Sequence, residues 1–312
     1  SVHNLGYQGC AEMQAAEPLG LDLEALTATG LIQDEHINVL KGGLCSADSL
    51  TTVSPTYAEE VKTLGGGAGL HETLATRSIV GILNGIDEDR WNPQTDPHIA
   101  QGYGVDDLTG KAECKRALQE ESALAQDPSI PLIGLVSRFA EQKGIDLFIE
   151  AMDVLVDEAV QFVVLGSGES WAEEGFAQRA AEHANVACTV GFDEPLSHRI
   201  EAGCDFFVMP SRYEPCGLNQ LYSQRYGTLP IVRAVGGLND SVIDDVNGFR
   251  FDELSSEALV ACIRRAVTMF QEEPDVFRSM VERAMKKPMG WDVAAEKYET
   301  LYRETLLLKA QA

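Results

Sequence analysis

Residues 209–222 have the sequence MPSRYEPCGLNQLY. An apolar, strand-like run ends where this stretch begins, and a helical pattern starts near Gly217, so the stretch is predicted to be the loop after a buried strand. Open α/β sheets bind ligands at this end of their parallel strands. The backbone N–H groups of Cys216, Gly217 and Leu218 can face a phosphate or a sugar hydroxyl there. Glu214 can hydrogen-bond a sugar or support positive charge; the alternative is an ordinary surface loop in which Glu214 starts a helix.

A second loop of this kind follows another apolar run, in the sequence SRFAEQKG of residues 137–144. It contains Arg138 and Lys143, two of the 24 lysines and arginines in a chain with a formal net charge of −25. Such a pair can hold a diphosphate, because a guanidinium binds two oxygens at once and an ammonium acts as a point charge. Exposed cations in an ordinary loop are the alternative. Two such loops at neighbouring strand ends favour a binding site.

From about residue 130 onward, short apolar runs alternate with helical patterns, which is typical of an α/β fold with a doubly wound parallel sheet. Near the N-terminus, 49–53 and 79–83 are strand-like and flank a helical segment, which predicts part of a second α/β sheet. The polar stretch before Pro128 indicates a domain junction there. We therefore expect an N-terminal domain in 1–127, a Rossmann-like domain in 128–288, and a helix in 289–312 that crosses back to the first domain. The strands predicted for the second sheet are 131–136, 161–165, 186–190, 205–209 and 230–235.

Composition excludes several classes of protein. The 49 aspartates and glutamates outnumber the basic residues, and this charge repels nucleic acid and anionic lipid. The seven cysteines are scattered without a C-x-x-C pair, which indicates a reducing cytoplasm rather than a disulfide framework or a thiolate zinc site. No apolar run reaches the ~18 residues of a membrane span, and no two histidines have the i,i+4 spacing, so neither a membrane anchor nor a metal site is predicted.

Several further segments have distinctive sequences: HNLGYQG (3–9), TVSPTY (52–57), LNGID (83–87), and YGTLPIVR (226–233) followed by GGL (236–238). Together with the two loops above, and in this order along the chain, they resemble the bacterial glycogen synthases and plastid starch synthases. The resemblance implies the GT-B fold, with two Rossmann-like domains of which the N-terminal one is incomplete here and the second binds a nucleotide sugar. It also implies a retaining transfer of glucose from ADP-glucose to the non-reducing 4-hydroxyl of an α-1,4-glucan. No cofactor is implied, and the location would be the cytoplasm, or the plastid stroma in a plant or alga.

Motif by motif, the resemblance also implies roles for single residues. Arg138 and Lys143 match the pair that binds the donor's diphosphate. Phe192 falls where the family usually has a tyrosine packed on the adenine, and its ring retains that stacking surface; the alternative is a core phenylalanine at a strand end. The implied catalytic residues are Glu214, as the essential carboxylate, and His3, as the loop histidine beside the transferred glucose. The further implied contacts are Gly217 and Leu218 with the diphosphate, and Asn4, Asn84 and Cys216 with the sugar or the cleft.

The sequence departs from two wider patterns. Residue 222 is a tyrosine, whereas the wider GT-B group often has a glutamate eight positions after the first; this agrees with the synthases. The family also has a Lys-x-Gly-Gly-Leu donor loop ahead of the His-Asn loop. No such segment precedes Ser1, so we expect the sequence to be a fragment. Lys41–Leu44 has similar letters, but it comes after the His-Asn loop and is interpreted as an accidental match.

Two other functions remain open at this stage. One is a truncated, catalytically weak remnant that binds nucleotide or glucan. The other is a nicotinamide oxidoreductase, which the α/β pattern alone allows. Gly166-Ser167-Gly168 lacks the third glycine of a dinucleotide fingerprint, which argues against that second function.

Overall fold

A computed structural model describes residues 1–311 of the chain. They divide into two units, which we call unit 1 and unit 2. Unit 1 contains Ser1–Asn84 and the segment from Ala294 on, and unit 2 contains Gly85–Val293.

Unit 1 contains two small sheets. In chain order its strands and α-helices are β1 (Cys10–Glu12), α1 (Leu23–Ala28), β2 (Ile32–Gln33), β3 (His36–Asn38), α2 (Val39–Ser46), β4 (Leu50–Thr52), α3 (Pro55–Glu60), α4 (His71–Ala75) and β5 (Ile79–Gly81). β4 and β5 pair in parallel, and β1, β3 and β2 form an antiparallel sheet. The strands predicted in 49–53 and 79–83, and the helix between them, are therefore confirmed, with shorter bounds.

Unit 2 is built around one parallel sheet. Its elements are α5 (Thr109–Glu121), β6 (Leu132–Phe139), α6 (Ile145–Leu155), β7 (Gln161–Gly168), α7 (Ser170–Glu182), β8 (Val186–Val190), α8 (Glu194–Gly203), β9 (Phe206–Met209), α9 (Asn219–Arg225), β10 (Leu229–Arg233), α10 (Gly236–Ser241), β11 (Phe249–Phe251), α11 (Ser256–Glu272), α12 (Pro274–Lys286) and α13 (Trp291–Gln311), the last of which continues into unit 1.

The sheet of unit 2 has six strands in the order β11-β10-β9-β6-β7-β8, and every pairing is parallel. Its central strands are buried, as expected when helices cover both faces of a parallel sheet. The five predicted strands are confirmed, while the short edge strand β11 was missed. The predicted α/β class with a parallel sheet is therefore correct.

β6 and β7 are longer than the sequence indicated. β6 continues to Phe139, whose buried ring packs on Phe176. β7 pairs with it as far as Gly168, and a Cβ atom at that position would lie only 2.2 Å from the carbonyl oxygen of Phe139. The glycines of this segment therefore allow two strand ends to approach closely. Arg138 consequently lies on a strand rather than in a loop.

The units divide at a different place from the junction expected near Pro128. Helix α5 precedes that residue but packs on α8 within unit 2. Lys115 Nζ lies 2.7 Å from Asp205 Oδ2, and both side chains are buried. Lys111 Nζ donates hydrogen bonds to two carbonyl groups at the end of α8. The charged residues that resembled a linker in composition are thus buried partners of the parallel-sheet unit.

The last helix, α13, contributes to the core of unit 1. Leu301 and Tyr298 pack with Ile82, which follows β5. In the part of the chain that the structure describes, no helix combines the length and the apolar character needed to span a membrane.

One glycine in unit 2 is fixed by both its backbone and its surroundings. Gly144 has φ 65°, and a Cβ atom there would lie 2.0 Å from the carbonyl oxygen of Pro210. We expect Gly144→Ala to cost about 1–3 kcal/mol for the positive φ and a further ~1–3 kcal/mol for the overlap. Gly20 is a matched control, because its φ is 67° and no atom lies within 4 Å of a Cβ built there.

Urea unfolding followed by circular dichroism measures both losses. Gly144→Ala should lower the free energy of unfolding by at least ~1 kcal/mol more than Gly20→Ala. Equal losses in the two variants would show that the approach of residue 144 to Pro210 is not tight.

Candidate active site

The two loops singled out from the sequence lie side by side. They follow β6 and β9, which are parallel neighbours in the sheet. The backbone N–H of Arg212 donates to the carbonyl of Gln142 at 2.8 Å, and the Gln142 side chain donates to the carbonyl of Tyr213 at 3.2 Å. The positive φ of Gly144 allows the first loop to close on the second. Backbone pairing therefore fixes one loop against the other.

An ion pair joins the two loops. Lys143 Nζ lies 2.6 Å from Glu214 Oε2, and the two side chains are only 20% and 7% exposed. The hydroxyl of Ser211 donates to the same carboxylate oxygen at 3.1 Å. A lysine ammonium has three donors, so Lys143 can hold Glu214 and still bind an anionic ligand.

A turn that contains Gly237 packs against the backbone of the Glu214 loop. The backbone N–H of Gly237 donates to the carbonyl of Glu214 at 3.0 Å. A Cβ atom on Gly237 would lie 2.2 Å from the carbonyl oxygen of Cys216, so only glycine allows this approach. Cys216 is itself buried, and the turn thus holds the loop by its backbone.

Arg212 is a further anchor that the sequence reasoning missed. Its guanidinium donates to both carboxylate oxygens of Asp146, at 2.7 and 2.6 Å. This hydrogen bonding lowers the pKa of Asp146 and raises that of Arg212. The pair ties the second loop to the start of α6. No short motif reveals it, because the two residues lie far apart in sequence.

The turn before α9 contains Gly217 and Leu218, two of the residues predicted to contact the diphosphate. Gly217 has φ 70°, and Leu218 immediately precedes the helix. The side chain of Gln220 donates to the carbonyls of Cys216 and Gly217. The N–H groups of Gly217 and Leu218 have no acceptor among the described residues, so they are available to a ligand.

A cavity of about 400 Å³ lies at the carboxyl ends of β6, β7 and β8. We call it the strand-end cavity. Phe192 stands at its edge with 91% of its surface exposed, which excludes the core-phenylalanine alternative. Arg138 lines the same cavity, and its side chain is exposed and without an ion-pair partner in the described part of the chain. Two sequence-predicted residues thus meet in one cavity.

A stack of rings forms one wall of the strand-end cavity. Trp91 lies between Tyr222 and His198, with ring centroids 3.8 and 3.9 Å apart and nearly parallel planes. His198 Nδ1 contacts Asp96 Oδ2 at 2.7 Å, and Tyr226 donates to the same oxygen. Burial alone would raise the pKa of Asp96, but the hydrogen bonds from His198 and Tyr226 lower it. Sequence reasoning missed this stack because Trp91 is more than a hundred residues away from both Tyr222 and His198 in the sequence.

The remaining predicted residues lie in unit 1. Val2 forms a parallel bridge to Thr52, and β4 pairs with β5. His3 and Asn84 therefore follow strands that end at one edge of this unit. His3 is exposed, and the side chain of Asn4 accepts a hydrogen bond from the backbone of Gly6 at 2.8 Å.

The segment with the letters of a donor loop is helical. Lys41–Leu44 lies within α2. Lys41 Nζ donates to the carbonyl of Ile32 at 2.7 Å, and a Cβ atom on Gly42 would lie 2.5 Å from the Leu31 side chain. The segment is thus engaged in local packing.

The described residues contain neither a disulfide nor a cluster of side chains that could hold a metal ion. No disulfide joins any of the seven cysteines there. Within the same residues, no group of three or more His, Cys, Asp or Glu side chains is arranged to hold a metal ion.

Two family models match the chain. The model described as "Glycosyl transferases group 1" matches residues 118–283. The model described as "Starch synthase catalytic domain" matches residues 1–76. The first match lies entirely within unit 2, and the second lies entirely within unit 1.

Curated glycogen synthases are similar to the chain over nearly all its residues. That of Anaeromyxobacter dehalogenans is 50% identical over 311 residues, which cover 97% of this chain and 65% of that protein. That of Aromatoleum aromaticum is 47% identical over 313 residues, which cover 96% of this chain and 63% of that protein. The chain therefore spans about 65% of the length of the curated relatives it matches.

A solved structure agrees with the expected fold. The catalytic domain of starch synthase IV from Arabidopsis thaliana, bound to ADP and acarbose, matches with a TM-score of 0.91 and 37% identity, covering 97% of this chain and 66% of that one. This confirms the GT-B fold class that the sequence resemblance implied. Taken with the family model matched over residues 118–283, it shows that the chain belongs to the group 1 glycosyl transferases, in the branch that contains the glycogen and starch synthases.

Proposed function

We propose that this chain carries the donor site of a retaining glucosyltransferase. The enzyme moves glucose from ADP-glucose to the non-reducing 4-hydroxyl of an α-1,4-glucan. The observation that carries the proposal is the Lys143–Glu214 ion pair beside a cavity lined by Arg138 and Phe192. The similarity to glycogen synthases, and to a starch synthase solved with ADP and acarbose, supports the choice of donor and acceptor.

The protein holds the donor at its adenine and at its diphosphate. The exposed ring of Phe192 stacks on the adenine, since every base offers a face to an aromatic side chain. Arg138 and Lys143 hold the diphosphate, with help from the N–H groups of Gly217 and Leu218. In a chain of net charge −25, these local cations must overcome a general repulsion of anions.

The reaction breaks the bond between the glucosyl anomeric carbon and the diphosphate oxygen, and its electron pair leaves with ADP. The acceptor's 4-hydroxyl oxygen forms the new bond on the face from which the diphosphate departs, so the configuration is retained. A diphosphate oxygen takes the acceptor's proton. Arg138 and Lys143 stabilise the negative charge that develops on the leaving group, which is the main contribution to the rate. The cations are side chains of the protein, and the proposal includes no cofactor.

Glu214 orients the glucosyl group and supports its developing positive charge without forming a covalent bond. Its carboxylate is buried and pre-positioned by Lys143 and Ser211. The roles that the sequence resemblance implies for four further residues are part of the proposal: His3, Asn4 and Asn84 contact the transferred glucose, and Cys216 borders the sugar position. The cytoplasmic location inferred from the scattered cysteines stays a prediction.

The alternative is a nucleotide- or glucan-binding remnant without useful transfer. Calorimetric titration with ADP and incorporation of radiolabelled glucose into glycogen, on one preparation, separate the two. Binding with incorporation supports the transferase. Binding without incorporation favours the remnant, and absence of both contradicts the donor site.

The diphosphate contacts can be tested by removing one cation at a time. Arg138→Ala should lose about 2–4 kcal/mol of transition-state stabilisation, or about 30- to 1,000-fold in kcat/KM for ADP-glucose. Because Arg138 is exposed, the melting temperature of this variant should equal that of the unmodified chain. Lys143→Ala should show a similar loss of activity and melt earlier, because it leaves the buried Glu214 without its cation.

Arg278→Ala is the control for these variants, since it removes a charge of the same sign from the exposed surface of unit 2. It should change neither turnover at limiting ADP-glucose nor ADP affinity. Normal turnover in Arg138→Ala or Lys143→Ala would remove the diphosphate contacts from the proposal.

The adenine contact can be tested at Phe192. Phe192→Ala should weaken ADP binding by about 1–3 kcal/mol, the scale of base–aromatic stacking. Its melting temperature should not fall, because the side chain is 91% exposed. Phe192→Tyr keeps the ring and should bind ADP as the unmodified chain does. Equal ADP affinity in Phe192→Ala would mean that the base lies elsewhere.

A further inference from the structure

A buried carboxyl group lines the strand-end cavity. Glu201 on α8 is 1% exposed and borders the cavity together with Tyr222 and Trp91. It lies two helical turns beyond Glu194, another residue that lines the cavity, and therefore about 10 Å from it along the helix. Among the residues that the structure describes, its Oε2 atom has no hydrogen-bond partner.

This carboxyl group has no stabilising partner that explains its burial. The charge of Lys111 acts favourably on this carboxyl group. However, the Lys111 Nζ atom donates its hydrogen bonds elsewhere, to the carbonyls of Ala202 and Cys204 and to the Thr228 hydroxyl, at 3.0, 3.0 and 2.8 Å. Burial raises the pKa of Glu201 well above its usual range. Burial thus favours the protonated carboxyl group, which can both donate and accept a hydrogen bond.

A buried polar group without a partner destabilises a fold. Apolar side chains fill other inward positions of α8, such as Leu196 and Ile200, and the buried His198 has a polar partner in Asp96. An apolar side chain at position 201 would thus suit the fold better. A ligand that enters the cavity and pairs with the carboxyl group would account for a glutamate there.

We propose that Glu201 determines specificity for the nucleoside half of the donor, by hydrogen-bonding it within the strand-end cavity. The inference rests on the proposed function. Phe192 and Arg138, the proposed contacts of the base and the diphosphate, line the same cavity as Glu201, so the nucleoside that extends between these contacts occupies the space that Glu201 borders. The partner is a hydroxyl or amino group, and either a ribose hydroxyl or the 6-amino group of the base provides that chemistry.

The test measures nucleotide affinity and stability in the same variants of the 312-residue chain. Glu201→Leu should weaken ADP binding by about 10- to 100-fold in calorimetry. Without ligand, it should melt about 2–8 °C higher, because the unpaired buried group is gone. Glu201→Gln keeps a donor and an acceptor and should bind ADP within about threefold of the unmodified chain. Glu174→Leu, on the exposed side of α7, is the control and should change neither quantity.

Two analogues identify the group that Glu201 contacts. If the partner is the 2′-hydroxyl, Glu201→Leu and the unmodified chain should bind 2′-deoxy-ADP equally. If it is the 6-amino group, they should bind purine riboside diphosphate, which has no substituent at position 6, equally. A loss of similar size for ADP and both analogues supports a contact with the 3′-hydroxyl, which all three share.

Three results would overturn the inference. One is unchanged ADP affinity in Glu201→Leu. Another is a lower melting temperature in that variant, which would make Glu201 a residue of the fold alone. Absence of ADP binding by the unmodified chain would reject the proposed donor site, and this inference with it. A failure of the proposed function is thus distinguishable from a failure specific to Glu201.

Discussion

The parallel pairing of β6 with β9 places Lys143 next to Glu214, and the rest of the candidate site depends on this contact. The two residues belong to different loops, and they meet because both strands end at the same edge of the sheet. A buried carboxylate that loses its cation is strongly destabilising. The pair therefore holds both loops in one arrangement before any ligand binds, which is the preorganisation that electrostatic catalysis requires.

Single positive charges act at defined places in this protein, although its net charge is strongly negative. Many of its cations lie in internal ion pairs, such as Lys115 with Asp205 and Arg212 with Asp146. Arg138 differs, because it lines the strand-end cavity without an ion-pair partner among the described residues. A chain of net charge −25 can thus attract one anion to one place while repelling polyanions in general.

Some features of the fold and of the candidate site could be predicted from the sequence, and others could not, for physical reasons. The order of the strands along the chain and the two polar loops were visible, because buried parallel strands are continuous apolar runs followed by polar residues. The grouping of α5 with unit 2 was not predicted, because its charged residues are buried through ion pairs and carbonyl contacts, which composition does not reveal. Trp91, Arg212 and Glu201 gave no signal, since their importance comes from partners distant in sequence. The roles of His3, Asn4 and Asn84 stay predictions.

The discontinuity of unit 1 has a consequence for how the protein is made. Unit 2 is contiguous, from Gly85 to Val293, whereas unit 1 combines the first 84 residues with the last helix. The core contact of Ile82 with Leu301 can form only after Leu301 has left the ribosome. Translation proceeds at about 5–20 residues per second, so the first segment waits roughly ten seconds or more for its partner helix. During synthesis the second unit can thus complete its fold before the first, and the N-terminal segment is the part that chaperones would have to protect.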